Sequence, residues 1–259
     1  MYDMAERLDR ILASLKENNM KTIRQFAEEL GVSEMTIRRD ISALEKSGQV
    51  NVFFGGVALN TANKAGSDKS GYSFSRELTE RMDEKKRIAM KAASLIEPKD
   101  VIFIDTGSTT GYIADHLPAE SSYIVYTCSL SVLNSACDRD NVKVVGCGGY
   151  FHRETRMFES EEGIQLLKKT HINKAFMAAR GVTDVVGITT AETYETAMKK
   201  AALGASQQKI LLVDSSKFGK AWYAKYADLD EIDTIITDEG IKDEYREMIE
   251  KRGITLLIV

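Results

Sequence analysis

Proline is nearly absent from this chain, with two residues in 259. Together with 43% hydrophobic residues, that scarcity excludes a collagen-like or disordered chain and predicts a folded core. Cysteine and histidine are equally sparse, at three residues each. Cys128, Cys137 and Cys147 form no CxxC pair, and His116, His152 and His171 have no ligand spacing. A zinc site is therefore not expected, and the odd thiol count fits a reducing compartment. No apolar run reaches the roughly 18 residues that a membrane-spanning helix needs. The first ten residues carry charges where a secretory signal needs an apolar stretch. The expectation is a cytoplasmic protein with no membrane partner. The chain has neither Gly-Lys-Ser/Thr nor GxGxxG, which disfavours ATP and NAD, and no cofactor is expected. Excess positive charge is missing too. The net charge of −4 argues against coating nucleic acid by charge alone, so any DNA contact needs a local arrangement.

What is present first is a helical N-terminus. Leu8, Ile11, Leu12 and Leu15 follow helical spacing from Met4 to Lys16. Thr22-Ile-Arg-Gln25 is a capping box opening a short helix with Ile23, Phe26, Ala27 and Leu30 on one face, stopped by Gly31. Ser33 then caps a helix from Glu34 to about Lys46, which Gly48 ends. Helix, Gly-containing turn, helix is a helix-turn-helix pattern. Setting Ile37 at zero and stepping about 100° per residue, Ile41 and Leu44 fall within about 40° of it. Met35, Arg39, Ser42 and Lys46 fall within about 40° of the opposite direction, and Arg38 and Thr36 lie on opposite flanks at about 100°. Arginines on such a face can read a guanine edge or grip phosphate. Gln49 to Leu59, alternating around Gly55-Gly56, reads as a two-stranded wing. The plain alternative stays open here. Residues 1–60 hold eight lysines and arginines against nine acidic residues, and two arginines on a helix often form only a solvated face.

Asn60 to Ser75 is polar and rich in Gly and Ser, and reads as a linker. Beyond it, a helix ending before Pro98 opens a series of short apolar runs: 101–104, 123–126, 142–145, 174–177, 210–213, 234–236 and 255–259. Amphipathic stretches at 110–117, 130–137, 163–170, 193–205 and 242–251 separate them. That rhythm predicts a mostly parallel, Rossmann-like α/β sheet with helices on both faces. Ligands in such folds sit beyond the carboxyl ends of the strands. Directly after the first run stands Asp105-Thr-Gly-Ser-Thr-Thr-Gly111, where Gly107 allows a tight turn and Ser108, Thr109 and Thr110 supply hydroxyls. A following helix start would make this a cradle for phosphate, or alternatively an ordinary capped turn. Thr127-Cys-Ser129, Gly146-Cys-Gly-Gly149, Arg180-Gly181 and Asp214-Ser-Ser-Lys-Phe-Gly219 end other runs. Glu195 and Lys199 stand one helical turn apart.

Leu30-Gly-Val-Ser-Glu-Met-Thr-Ile-Arg-Arg-Asp-Ile-Ser-Ala-Leu-Glu-Lys-Ser-Gly48 and the Phe54-Gly-Gly-Val stretch resemble the DeoR family of bacterial transcriptional regulators. Thr106-Gly-Ser-Thr-Thr110, Gly187-Ile-Thr-Thr-Ala-Glu-Thr-Tyr-Glu195, Lys199 and Asp214-Ser-Ser-Lys-Phe-Gly219 resemble its C-terminal signatures, so the likeness covers essentially the whole chain. The resemblance implies a winged helix-turn-helix over 1–59, a linker over 60–75, and a domain over 76–259 related to ribose-5-phosphate isomerase that oligomerises and binds phosphorylated sugars. It implies operator contacts from Ser33, Met35, Thr36, Arg38, Arg39, Ser42 and Lys46. It implies effector contacts from Asp105 and the Thr106 to Thr110 loop, with Ser129, Gly148 and Gly149 lining the pocket. Glu195 and Lys199 would reach sugar hydroxyls or each other, and Lys217 would reach the phosphate or a ring oxygen. The sequence departs from the family at Asn51, Phe53 and Phe54, where wings carry a basic residue and a histidine, and at Cys128, Glu159 and Ala178. It departs also at Arg180, which stands where an acidic or small residue is usual and alters the charge of the preferred ligand.

Two functions remain at this point. One is a sugar-phosphate-responsive repressor acting on operator DNA as a homodimer or homotetramer. The other is a sugar-phosphate isomerase with a fused helical domain, using Glu195 or Asp214 as base and Lys217 as electrostatic partner. The exposed Arg38 and Arg39 favour the first, since an isomerase has no use for them.

Overall fold

A computed structural model describes residues 3–18, 20–53, 56–59, 77 and 80–259. The expected linker at 60–75 and the wing tip at Phe54 and Gly55 lie outside the described residues.

The N-terminal part folds as expected from its caps. Helix α1 (Met4–Asn18) is followed by the two-residue strand β1 (Met20–Lys21), which sequence reading did not foresee. Thr22 and Gln25 close a capping box at the start of α2 (Ile23–Leu30), and Gly31 ends it in the left-handed conformation. The Ser33 hydroxyl accepts from the Thr36 N–H to open α3 (Glu34–Lys46). Strands β2 (Val50–Phe53) and β3 (Gly56–Leu59) pair antiparallel as the wing, with β3 between β1 and β2. Ile11, Leu15, Phe26, Ile37, Ile41 and Leu44 form the core beneath them.

The C-terminal part begins with α4 (Met82–Ala93). Its central sheet has seven parallel strands in the order β15-β14-β12-β9-β4-β5-β6. In chain order these are β4 (Val101–Ile104), β5 (Tyr123–Thr127), β6 (Val142–Gly146), β9 (Ile172–Ala178), β12 (Ser206–Leu212), β14 (Thr234–Thr237) and β15 (Thr255–Ile258). Helices α5 (Leu130–Ala136), α6 (Glu161–Lys168), α7 (Glu195–Ala205) and α8 (Asp243–Lys251) connect them. Two apolar clusters lie on the sheet's two faces, one around Phe103, Met177 and Leu211 and the other around Ile102, Phe176 and Ile210. Their residues alternate along β4 and β9 because successive side chains of a strand point to opposite faces.

The differences from expectation are local. Residues 110–116 form a 3₁₀ helix rather than an α-helix. Five short strands were not foreseen: the hairpin β7 (Tyr150–His152) and β8 (Met157–Glu159), and an antiparallel sheet of β10 (Gly181–Thr183), β11 (Gly187–Thr190) and β13 (Ala224–Ala227). Each is too short to show a period of its own.

The chain runs from β4 outward through β5 and β6, then returns to the other side of β4 as β9. The strand order reverses between β4 and β9, so the crevice at their carboxyl ends is the position that open α/β sheets give to ligands. Among the described residues, no helix is long and apolar enough to cross a membrane.

Phe176, at the centre of β9, is fully buried. Phe176→Ala is expected to cost about 3–5 kcal/mol, as aromatic truncations in cores do, measured as the shift in the denaturant midpoint at unchanged slope.

Candidate functional site

The end of β4 and the end of β9 meet at the switch point. The Asp105 carboxylate is fully buried and accepts the N–H groups of Thr106 (2.8 Å) and Ala178 (3.0 Å). Lys199, from α7, places its ammonium 2.5 Å from the same carboxylate and donates to the Ala178 carbonyl at 3.3 Å. The Tyr226 hydroxyl donates to that carbonyl as well, at 2.8 Å. Glu195 lies 3.5 Å from Lys199 and accepts the Glu192 N–H at 3.1 Å. Burial alone would push the Lys199 ammonium down, but Asp105 and Glu195 outweigh it and hold the pKa above its ordinary value. Burial pushes the Glu195 carboxyl up despite Lys199. Asp105, Lys199 and Glu195 are thus a closed polar knot behind the loop.

The loop itself lies in front. The Thr106 hydroxyl donates to the Thr155 carbonyl (3.0 Å), and the Thr110 hydroxyl donates to the Asp105 carbonyl (2.8 Å). Those two hydroxyls are committed and do not point a proton at a ligand. Ser108 and Thr109 differ, because no hydrogen bond among the described residues engages their hydroxyls. None engages the backbone N–H of Gly107, Ser108 or Thr109 either. Gly107 is required by packing: a Cβ there would stand 2.6 Å from the Ala178 Cβ and 2.9 Å from the Thr110 hydroxyl. Successive unpaired N–H groups beside two hydroxyls make an anion-binding concavity.

This loop lines a narrow cleft together with Arg180, Glu195, Lys199 and Lys217. One more residue lines it that sequence reading missed. Glu77 is 6% exposed. Its carboxylate contacts the Arg180 guanidinium and lies 2.9 Å from the Lys217 ammonium. Lys85, itself buried, lies 3.7 Å from the carboxylate and donates to the Glu77 backbone carbonyl. The Arg180 guanidinium sits 4.6 Å above the Trp222 ring. Burial opposes ionisation of Glu77, but Lys217 and Arg180 prevail and lower its pKa from 4.5 to about 2. The only sequence signal for Glu77 was a lone acidic residue just past the linker, with no motif around it.

Three expected lining residues lie elsewhere. Ser129 is fully buried and caps α5 through the Val132 N–H. Gly148 and Gly149 border a separate shallow cleft with Ser160 and Gly163. Gly149 has φ +131°, and a Cβ there would stand 2.1 Å from the Glu159 carbonyl oxygen, so that glycine serves the turn into the β7–β8 hairpin. The hairpin connection in turn backs the loop: Thr155 bonds Tyr194 at 3.1 Å, and Tyr194 stacks on His152 at 3.6 Å.

On the N-terminal part, α3 presents Met35, Arg38, Arg39 and Lys46 to solvent, with Thr36 and Ser42 half-buried. Arg38 faces the Glu34 carboxylate at a loose 3.8 Å. The Ser33 and Thr36 hydroxyls bond each other at 2.9 Å in the cap. Asp40, also missed, is fully buried and takes a two-pronged contact from Arg7 of α1, at 2.7 and 3.2 Å. It fixes the tilt of α3 rather than facing outward.

Both parts of the chain match families of known proteins. The DeoR-like helix-turn-helix domain matches residues 7–63, and the DeoR C-terminal sensor domain matches residues 80–239. The chain belongs to the DeoR family. It is 33% identical to the HTH-type transcriptional regulator IolR of Bacillus subtilis (strain 168), over 89% of each chain. It is 32% identical to the deoxyribose operon repressor of Escherichia coli (strain K12), over 97% of each. Among solved structures, ribose 5-phosphate isomerase A from Neisseria gonorrhoeae is similar at a TM-score of 0.40 and 20% identity, covering 53% of this chain and 54% of that one.

The lowered pKa of Glu77 has a stability consequence with a definite sign. An acid whose pKa falls on folding stabilises above its unfolded value and loses that contribution as pH drops through the folded one. The melting temperature of the parent should exceed that of Glu77→Gln above pH 4.5, and the gap should close as pH falls towards about 2.

Proposed function

We propose that this chain is a DNA-binding transcriptional repressor of a sugar-utilisation operon, controlled by a phosphorylated sugar. In this reading residues 1–59 read the operator, 60–75 link, and 76–259 sense ligand and oligomerise. The observation that carries it is the run of unengaged N–H groups at Gly107, Ser108 and Thr109, flanked by two uncommitted hydroxyls, at the switch point of a parallel sheet. That arrangement suits a phosphate, and it stands in a chain whose α3 exposes Arg38, Arg39 and Lys46. The names of the relatives, a deoxyribose operon repressor among them, support the same reading. A single winged helix reads too few base pairs to be selective, so the proposal includes at least a homodimer on repeated half-sites.

The isomerase alternative has less behind it. The Glu195 carboxylate is tied to Lys199 and the Glu192 N–H, and Asp214 accepts from both the N–H and hydroxyl of Ser216. Glu195 is thus engaged by its own chain, and Asp214, bonded through Oδ1 and buried with Oδ2 unbonded among the described residues, does not line the cleft.

Two measurements test the proposal. Arg38→Ala or Arg39→Ala should weaken specific operator binding by about 1–3 kcal/mol in gel shifts at fixed salt, the usual worth of a base-reading pair. Unchanged affinity in both variants would remove α3 from the DNA contact. Thr109→Asp places a negative charge against the loop. It should abolish binding of a sugar phosphate in calorimetry while leaving operator affinity intact. Equal affinity of the parent protein for a sugar and its phosphate would refute the phosphate site.

A further inference from the structure

The cleft holds two anion positions of different chemistry. The first is the Gly107 to Thr109 loop, built from neutral donors. The second is the pair Arg180 and Lys217, brought together from the ends of β9 and β12, and it is already filled by the Glu77 carboxylate. Arg180 offers a planar donor fork that matches a carboxylate, and its stacking on Trp222 holds that fork in one orientation. Glu77 does not belong to either of these strand ends. It arrives from the chain before α4, and Lys85 of α4 holds its backbone carbonyl. The cation pair therefore binds a carboxylate that comes from neither strand end but from the segment before α4.

Resting on the phosphate reading above, we propose that the effector is a phosphorylated sugar acid. Its phosphate takes the Gly107 to Thr109 loop, and its carboxylate replaces that of Glu77 between Arg180 and Lys217. The exchange is one carboxylate for another, so the charge beside the two cations is unchanged and the desolvation already spent on them is not repeated. A sugar phosphate with a neutral end has no group to offer these cations. It must either leave Glu77 in place or separate it from both cations without replacing it.

Calorimetry on the full chain tests this with matched probes, 6-phosphogluconate against glucose 6-phosphate and 5-phosphoribonate against ribose 5-phosphate. At least one acid is expected to bind tenfold or more tightly than its aldose partner. Glu77→Gln removes the internal competitor. It should tighten binding of that acid about tenfold further and leave the aldose phosphate within twofold. Lys217→Gln should abolish the preference for the acid without abolishing phosphate binding, and circular dichroism melts establish that both variants fold. Arg180→Gln gives the same readout should Lys217→Gln fail to fold. Equal affinity within both pairs overturns the proposal. So does a Glu77→Gln variant that tightens acids and aldose phosphates alike, since Glu77 would then compete with the phosphate itself. If aldose phosphates bind, lose binding in Thr109→Asp and show no acid preference, the sugar-phosphate reading stands and this inference falls. If gluconate binds as tightly as 6-phosphogluconate, or no phosphorylated probe binds, both fall.

Discussion

The contact between Asp105 and Lys199 is the constraint on which the sensor part depends. One carboxylate joins the end of β4, the end of β9 and helix α7, because it accepts from Thr106, Ala178 and Lys199 together. Both partners are out of water, so neither can be lost alone without leaving a buried charge, a loss that typically costs about 3–5 kcal/mol. The knot therefore fixes the separation of the two strand ends that frame the cleft. The position of the Gly107 to Thr109 loop follows from it: Gly107 can pass within contact of Ala178 only because nothing larger than hydrogen stands on its Cα.

Much of this was legible in the residues, for reasons that differ from place to place. The seven strands of the main sheet were readable because both faces are covered, and buried strands show as unbroken apolar runs. The outward face of α3 was readable because a helix of 13 residues is long enough for its period to be unmistakable. Asp40 was readable in principle, since it falls only about 60° from Ile37 on a 100° wheel, inside the apolar stripe. A charge in that position asks for a buried partner, which proved to be Arg7 from another helix, and sequence spacing does not show which. Gly148 and Gly149 were misplaced because a glycine at a strand end has two uses. The sequence does not tell close approach of a ligand from close approach of the chain's own backbone, and here Glu159 makes that approach. Glu77 was invisible for a third reason. Arg180 and Lys217 stand more than a hundred residues away, past the ends of two different strands, and nothing local distinguishes Glu77 from a solvated acid.

The knot also redistributes the roles of the charged residues. The family resemblance would have Glu195 and Lys199 reach sugar hydroxyls or each other, and both are occupied with each other and with Asp105 in holding the frame. A ligand that drew Lys199 away would have to offset the charge left on Asp105. Selectivity then falls to the residues at the front of the cleft: Ser108 and Thr109, whose hydroxyls no described group engages, and Arg180 and Lys217, whose carboxylate partner comes from the segment before α4. This division explains how a frame can be kept while ligand preference varies, because Arg180 can change without disturbing Asp105.

It also bears on how binding could be felt elsewhere. A ligand shifts an equilibrium only by the difference in its affinity for the two states. Contacts with the loop, which the knot holds in place, require no other group of the cleft to move. Glu77 is different in kind. It precedes α4, on the side of the chain that leads back to the helix-turn-helix domain, and its carboxylate and a ligand's carboxylate cannot occupy the same two cations at once. A ligand that takes that position binds more tightly to the state in which Glu77 has withdrawn, by an amount set by the contacts Glu77 gives up. Glu77, which the sequence did not reveal, is therefore the group whose displacement the proposed ligand would couple to binding.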